Sequence, residues 1–438
     1  MRYKQTYTIG LLCTICCTTI GMSQETPAFM INEGIMVVSA DDLVSIEGTF
    51  ENTTIGEVIN DGTMVYFHDF INNGYYGLSR TKTTSMAIFL NNNADRLKQI
   101  SGNELSTFYN IQFNSPTKGR AFDLKNNIDV WGTADFQDGI VKVDSVVNAK
   151  TNLSHGMFSF QQGAKAVNAT DHAHVEGEVE KIGQEPFVYP IGDKGHYRPA
   201  KISTPKHVKD GFVSKYIYGD HAFFRAHDTK AKQIEILNDK EYWIVEKGTR
   251  TASDILLTLS WDERTTASSL LENTQAELHI VRWDETAKSW VDEGGAIDRE
   301  AKEVSTIAAV NGYGYFTLAL IGPGKEQDSE DVVIYNLVTP NSDGSSDYFI
   351  IDNIWNYPTN KVEIYNRWGV RVYSTTAYDP NGDGSSNVFN GYSNGRNTIG
   401  KNNKLPSGTY YYVVTYEYKD ENGSRMIKKA ANLHLENN

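Results

Sequence analysis

Short runs of alternating apolar and polar residues, separated by Gly and Asn, dominate the chain from Ile31 to about Val147. Apolar residues recur two positions apart within these runs, as in Phe122/Leu124, Ile128/Val130 and Val141/Val143. Alternation of this kind is typical of strands that bury one face. The irregular spacing of the runs predicts successive coils of a β-solenoid over residues 24–147, each burying its apolar face on the next. An antiparallel β-sandwich is the alternative, and the pattern does not exclude it.

The rest of the chain divides where its composition changes. Residues 148–236 are richer in His, Pro and Gly and are predicted to form a bridging β region. Residues 237–323 carry sharper strand signals and a hairpin at Asp284–Lys288, which predict a β-sandwich. A polar stretch without periodicity predicts a linker at residues 324–330, and residues 331–438 are predicted to be a small separate β-sandwich. The predicted fold class is therefore all-β.

The N-terminus has the layout of a secretory signal peptide. Basic Arg2 and Lys4 precede an apolar stretch from Ile9 to about Ile20, which is too short to span a bilayer. We predict that residues 1–23 are removed after Sec export to the periplasm; a buried N-terminal strand is the alternative. All three cysteines lie in this segment, so no disulfide, thiolate metal site or cysteine nucleophile is expected in the remainder.

The net negative charge of the chain indicates which kinds of partner it can bind. The formal net charge is −14, and removal of residues 1–23, which hold two basic residues and no acidic one, makes it −16. A surface of this sign repels phosphate backbones and argues against nucleic acid binding. No later segment has the roughly 18 consecutive apolar residues of a transmembrane helix. The sequence therefore favours an exported, soluble protein.

Three separated motifs mark the end of the chain: "TPNSDGSSDYFIIDNI", "YPTNKVEIYNRWGVRVY" and "LPSGTYYYVVTYEYKDENG". In this order they resemble the gliding-motility-associated C-terminal domain, the type B sorting signal of the type IX secretion system of Bacteroidota, over residues 331–438. The matching positions are Thr339, Pro340, Asn341, Asp343, Gly344, Asp347, Tyr365, Asn366, Arg367, Trp368, Gly369, Leu405, Pro406, Gly408, Thr409, Tyr410 and Tyr411.

The resemblance implies a partner and a destination. The outer-membrane type IX secretion machinery is expected to bind this domain, and the protein is expected to be secreted or held at the outer-membrane surface. The motif residues would then serve recognition, not catalysis. Independently of the resemblance, Trp368 beside Arg367 is compatible with a cation–π pair, an exposed docking tip or a core residue at a hairpin end.

One loop has the spacing of a calcium site. Asp379, Asn381 and Asp383 offer oxygen atoms at alternate positions, and Gly384 allows a sharp turn. Asn390 occupies the position where a bidentate Glu is expected, so a plain Asx-rich turn is the alternative and is favoured. Calcium is thus the one possible cofactor, and otherwise none is predicted.

Other candidate sites are weaker. His172 and His174 are expected on one face of a strand, where a pair of imidazoles can bind zinc, although an ordinary surface strand is favoured. The four solenoid aspartates considered for a catalytic stack are Asp123, Asp129, Asp135 and Asp138, although solvated turn carboxylates are favoured for them. The aromatic residues considered for sugar stacking are Trp131, Tyr75 and Tyr76, although ordinary strand packing is favoured for each.

No established catalytic motif occurs in the sequence. The chain is therefore predicted to be a non-enzymatic secreted or cell-surface protein with an N-terminal adhesion or structural region. The alternative is a carbohydrate-binding protein or a polysaccharide-degrading enzyme with a β-solenoid groove. An extracellular glycan or another surface ligand is a possible partner under either interpretation.

Overall fold

The computed structural model describes residues 28–79, 83–93, 95–116, 119–144, 156–272, 277–321, 332–341, 344, 346–366, 369–394, 404–420 and 423–437. The regular secondary structure of these residues is almost entirely β-strand, which confirms the predicted all-β class. The predictions of a signal peptide at residues 1–23 and of a linker at residues 324–330 fall outside the described residues.

The N-terminal region is a parallel β-solenoid of about six turns. Its strands are β1 (Phe29–Asn32), β2 (Ile35–Val38), β3 (Leu43–Ile46), β4 (Thr49–Asn52), β5 (Glu57–Asn60), β6 (Thr63–Tyr66), β7 (Phe70–Asn72), β8 (Tyr75–Gly77), β9 (Met86–Leu90), β10 (Lys98–Ser101), β11 (Ser106–Phe108), β12 (Asn110–Asn114), β13 (Arg120–Leu124), β14 (Ile128–Val130), β15 (Thr133–Phe136), β16 (Ile140–Val143), β17 (Phe158–Phe160), β18 (Lys165–Val167), β19 (Val175–Glu176) and β20 (Val179–Ile182). Each coil gives one strand to each of three sheets, in the orders β1-β4-β7-β10-β13-β16-β19, β2-β5-β8-β11-β14-β17-β20 and β3-β6-β9-β12-β15-β18.

The coils differ in length, which explains the irregular repeat in the sequence. Phe50 pairs with Phe70 across one short coil, but Phe70 pairs with Ile100 across a coil with longer connections. The extra residues lie between strands, as between the end of β8 and the start of β9, so the strands stay in register while the sequence period changes. Parallel pairing continues as far as β17 with β20, so the predicted boundary at residue 147 lies inside the solenoid.

Stacked rings fill the interior of the solenoid. Tyr66, Phe89, Phe113 and Phe136 occupy paired positions in successive coils, with ring centroids 5.1, 5.7 and 5.8 Å apart. The stacked order buries large apolar areas, because each ring packs on the ring of the next coil.

An asparagine ladder, half-buried at Asn32 and buried at Asn52 and Asn72, lines one corner of the solenoid. The Asn32 amide donates to Asn52 Oδ1 (2.8 Å), and the Asn52 amide donates to Asn72 Oδ1 (2.9 Å). Each amide therefore satisfies the one in the neighbouring coil, which a buried polar group requires.

A β-sandwich follows the solenoid and closes its far end. Its elements are β21 (Phe187–Val188), β22 (Gly192–Asp193), β23 (His196–Tyr197), β24 (Ala200–Ile202), β25 (Gly211–Tyr218), α1 (His221–Ala226), β26 (Ile234–Leu237), β27 (Glu241–Lys247), β28 (Leu257–Ser260), α2 (Ser268–Leu271), β29 (Glu277–Asp284), β30 (Ser289–Asp292), β31 (Ala296–Asp298), β32 (Glu303–Ser305) and β33 (Gly314–Ile321). One sheet has the order β21-β24-β28-β32-β31. The other continues the second solenoid sheet through β20-β25-β27-β33-β29-β30, giving 13 strands in all with β26.

The junction between solenoid and sandwich is made by backbone hydrogen bonds as well as by packing. Strand β20 pairs antiparallel with β25, for example Val179 with Ser214. Buried residues of both parts belong to one hydrophobic core. The sandwich strands begin at Phe187, within the predicted bridging region of residues 148–236.

The C-terminal region has its own core and its own sheets. Its elements are β34 (Val333–Ile334), β35 (Leu337–Val338), β36 (Ile351–Asp352), the 3-10 turn η1 (Ile354–Asn356), β37 (Lys361–Tyr365), β38 (Arg371–Thr376), β39 (Gly408–Asp420) and β40 (Gly423–Leu435). Five of the strands form a sheet in the order β35-β40-β39-β37-β38, and β34 pairs with β36.

Candidate functional site

The three sequence motifs of the C-terminal region meet at one end of its five-stranded sheet. Strand β35 leads directly into the first motif at Thr339, β37 ends in the second at Tyr365, and β39 begins in the third at Gly408. Strand β35 pairs in parallel with the end of β40, and β39 runs antiparallel to both β40 and β37. Because of these directions, segments that are far apart in the sequence lie side by side.

The first motif is a loop closed by its own backbone and one carboxylate. The Thr339 N–H donates to the Ser346 carbonyl (2.7 Å), and the Gly344 N–H donates to Asp347 Oδ2 (2.8 Å). Gly344 has a φ of +84°, which favours glycine at this position. Asp343 lies outside the described residues.

The second motif is the hairpin turn between β37 and β38. Asn366 shapes it: its carbonyl accepts from Gly369 N–H (2.9 Å) and its Oδ1 accepts from Val370 N–H (3.0 Å). Gly369 adopts a φ of +72°. Burial, reinforced by nearby Glu363, raises the pKa of Tyr365 to about 12, so this phenol is neutral at physiological pH. Arg367 and Trp368 fall outside the described residues, so the alternatives for Trp368 stay predictions.

The third motif holds the end of the chain. The Ser407 hydroxyl donates to the Asn437 carbonyl (3.1 Å), and the Asn437 N–H donates to Ser407 Oγ (2.9 Å). The Tyr410 hydroxyl donates to the Pro406 carbonyl (2.9 Å). Ser407 and Asn437 were not among the predicted site residues, because serine next to proline gives no sign of a partner 30 residues away.

Residues 332–429 match the family model of the CHU_C Type IX secretion signal domain. The C-terminal segment is a type IX sorting domain. This confirms the resemblance predicted from the three motifs. No curated protein and no solved structure matches the chain.

The sorting domain indicates how the chain is exported and which class of partner it contacts. A chain that carries it is exported to the cell surface or secreted, and the domain interacts with the type IX secretion machinery. In the part of the chain that the structure describes, no helix has the length and apolar character needed to cross a membrane.

The predicted calcium loop of the sorting domain is held by hydrogen bonds within the loop. Buried Asp379 accepts the Gly384 N–H on Oδ1 (3.0 Å), and Asp383 accepts the Ser385 N–H on Oδ1 (2.9 Å). The Asn381 amide donates to the Ser385 hydroxyl (3.2 Å). The loop is thus an Asx-rich turn, and calcium binding by Asp379, Asn381 and Asp383 stays a prediction.

The two histidines considered for zinc do not share a face. His172 lies in a turn closed by the pairing of Thr170 with Ala173 and is exposed, whereas His174 follows this turn and is fully buried. Burial lowers the pKa of His174, so its imidazole is neutral near pH 7. Among the described residues, no group of three or more His, Cys, Asp or Glu side chains is placed to hold a metal ion.

The aspartates considered for a catalytic stack lie on different sides of the solenoid. Asp123 is in β13, Asp129 in β14 and Asp135 in β15, which belong to three different sheets, and Asp138 lies in the next turn. The hypothesis of one stacked face is therefore wrong. Residues on consecutive strands of a coil face different directions, whereas stacked residues must be one full coil apart.

Asp129 has the most unusual environment of the four. It pairs across the sheet with Ser159, which pairs with Glu180, and the Ser159 hydroxyl donates to Glu180 Oε2 (2.7 Å). Burial raises the pKa of Asp129 to about 6; the charge of Glu180 adds to the rise, and a hydrogen bond from Gln161 opposes it. Trp131 follows the same strand and is 45% exposed.

Only some of the aromatic residues considered for sugar binding are exposed to solvent. Tyr75 is exposed, but Tyr76 is buried and its hydroxyl lies 2.8 Å from that of Tyr66. Tyr76 is therefore a core residue, and the sugar-stacking hypothesis is wrong for it. Tyr75 begins β8 whereas Trp131 follows β14, so the two exposed rings lie on different coils.

The sandwich contains a buried ion pair that was not predicted from the sequence. Arg198 and Glu241 are almost fully buried and joined by two hydrogen bonds of 3.2 Å. Tyr216 and Thr266 also donate to the Glu241 carboxylate, at 2.6 and 2.5 Å. Because every oxygen of the carboxylate is satisfied and shielded from water, the arrangement is structural.

Proposed function

We propose that this protein is a non-enzymatic surface or secreted protein whose solenoid and sandwich bind or space other molecules outside the cell. The observation that carries the proposal is the 13-stranded sheet that runs without a break from the solenoid into the sandwich. Backbone hydrogen bonds join every neighbouring pair of strands in it, so the two parts form one stiff body. Stiffness suits a protein that presents a binding surface away from the cell.

The route of export completes the proposal. The chain enters the periplasm through the Sec pathway by its first 23 residues, which have a signal-peptide pattern. The sorting domain then directs passage across the outer membrane. This combination supports an extracellular place of action, and the solenoid and sandwich supply the region that acts there.

The test is to incubate the purified protein with a panel of extracellular polysaccharides. Retention on each polymer and the appearance of new reducing chain ends are measured in parallel. We expect no new chain ends, with or without retention. New chain ends that disappear in the Asp129→Asn variant would instead establish an enzyme.

The second candidate function is glycan binding or cleavage on the face that carries Asp129 and Trp131. A carboxyl group with a pKa near 6 is protonated often enough to act as a general acid, and an exposed indole stacks on sugar rings. Glu180, two strands away from Asp129 in the same sheet, is the second carboxylate available. Cleavage at this face would produce new chain ends, whereas binding alone would produce only retention, so the test measures both.

The raised pKa of Asp129 makes a prediction about stability. The folded state binds the proton of Asp129 more tightly than the unfolded state, so this residue adds stability as the pH falls through about 6. Asp129→Asn is therefore expected to increase the free energy of unfolding at pH 8 by about 1–3 kcal/mol, and to flatten its dependence on pH between 4 and 7.

Urea unfolding at several pH values measures the effect. Asp135→Asn is the matched control: burial opposes ionisation of Asp135, but hydrogen bonds from Gln112, Gln137 and Asn168 outweigh burial and lower its pKa. Replacement of Asp135 should lower stability at pH 8. Equal effects of the two substitutions would contradict the assignment for Asp129.

A further inference from the structure

Among the residues that the structure describes, no strand covers the first coil, which forms the open end of the solenoid. Strands β1, β2 and β3 are each the terminal strand of their sheet, so on that side their backbone groups meet no other strand of the described chain. The opposite end differs, because β20 pairs with β25 and Val175 bridges to Ile191. An open set of edge strands is a template for pairing with another chain.

Apolar side chains surround the open end. Those more than a third exposed run from 37% for Met30 to 72% for Ile35, and the full set is Phe29, Met30, Ile31, Ile35, Val37 and Leu43. The second coil is less apolar at two of the paired outward positions, because Ile31 pairs with Glu51 and Ile35 pairs with Glu57. At two others, Val37 pairs with Ile59 and Leu43 pairs with Thr63. Several large apolar side chains exposed within one coil are typical of an interaction site.

Each corner of the first coil carries an exposed carboxylate. Glu33 lies between β1 and β2, Asp41 and Asp42 lie between β2 and β3, and Glu47 follows β3. From residue 28 to residue 79 the sequence contains no Lys or Arg. The open end therefore consists of three terminal strands with exposed apolar side chains. Negatively charged residues lie at the corners between and after these strands.

We propose that this end is a docking site for a strand of another protein, with alternating apolar residues and with Lys or Arg at its ends. The partner strand would extend one of the open sheets by backbone hydrogen bonds and cover the exposed apolar side chains of that sheet's terminal strand. Its basic ends would lie beside the carboxylates at the corners. The inference rests on the proposed binding function and names the class of partner for it.

The negative charge around the open end disfavours a second copy of this chain as the docking partner. The far end is closed by the sandwich, so two copies can stack only open end to open end. That arrangement brings the acidic corners of one copy near those of the other, and like charges across an interface oppose association. A basic strand gains attraction from the same carboxylates.

The experiment uses the purified full chain and two fluorescent eight-residue peptides of alternating Val and Thr. One peptide has two lysines at each end, and the other has two glutamates. We expect the lysine peptide to bind at least about tenfold more tightly by anisotropy, with the difference shrinking in 1 M salt as the charges are screened. Val37→Pro, which removes an edge N–H, and the double variant Glu33→Lys/Asp41→Lys should each reduce binding about tenfold or more.

Ile55→Lys is the matched control, because Ile55 is 73% exposed but precedes β5 of the second coil. It should bind the lysine peptide as the unsubstituted protein does. Equal binding of the two peptides, no binding, or a dimer in solution that Val37→Pro dissociates would each overturn the proposal. These results leave the polysaccharide test untouched, so failure of this inference is distinguishable from failure of the proposed function.

Discussion

Replacing Arg198 with methionine is expected to lower the free energy of unfolding of the solenoid–sandwich core by about 3–5 kcal/mol. Methionine fills most of the volume of the arginine but leaves the Glu241 carboxylate buried without a cation. It also removes the donors to the Ser260 hydroxyl (3.0 Å) and carbonyl (2.6 Å). Urea unfolding followed by tryptophan fluorescence measures the loss, since Trp243 donates its indole N–H to the Arg198 carbonyl (3.0 Å).

Arg264→Met is the matched control for this prediction. Arg264 is also ion-paired, to the carboxylates of Asp171 (2.6 Å) and Asp262 (2.7 Å), but its side chain is 52% exposed. Water screens an exposed pair, so the loss should be no more than about 1 kcal/mol. Equal losses for the two arginines would show that burial of the Arg198 pair carries no special weight.

A double variant separates the ion pair from the shape of the site. Arg198→Met together with Glu241→Leu removes both charges, so no uncompensated carboxylate remains. The double variant should be more stable than Arg198→Met alone, although Tyr216 and Thr266 lose their acceptor. A double variant less stable than the single one would mean that hydrogen bonding to Glu241, and not the missing cation, dominates.

The sequence allowed the solenoid to be predicted because its signal is local. Apolar residues at alternate positions, such as Phe122 and Leu124, already indicate a strand with one buried face. The extent of the solenoid is not local, since it depends on which strand pairs with the last coil. Strand β20 has the same alternation whether it pairs with β17 alone or also with β25, so the junction with the sandwich had no signature in the sequence.

The candidate sites also divide into those that have a local signal in the sequence and those that do not. The motifs at Thr339, Asn366 and Pro406 identified the sorting domain, since their residues and their order in the sequence resemble those of the family. The carboxylates of the solenoid could not be placed, because alternation tells which side of a strand Asp129 occupies but not which of three sheets the strand joins. Arg198 and Glu241 lie 43 residues apart, and no local pattern connects them.

Deletion of residues 331–438 is expected to abolish export beyond the periplasm. The sorting domain has a hydrophobic core separate from that of the solenoid and sandwich, so the truncated chain should still fold. It should accumulate in the periplasm of the native host, whereas deletion of residues 2–23 should leave the chain in the cytoplasm. Fractionation and immunoblotting distinguish the two. Normal amounts of the truncated protein at the surface or in the medium would contradict the sorting role.

Point variants make the same test without removing the domain. Asp347→Ala opens the first motif by removing the acceptor of the Gly344 N–H, and Asn366→Ala removes the acceptor of the Val370 N–H in the second. Because both motifs lie at one end of the sheet, each variant should reduce export several-fold. Met426→Ala is the control, since Met426 is 62% exposed and lies near the β39–β40 turn at the other end. An equal loss from all three would mean that export depends on the stability of the domain as a whole and not on the end where the motifs meet.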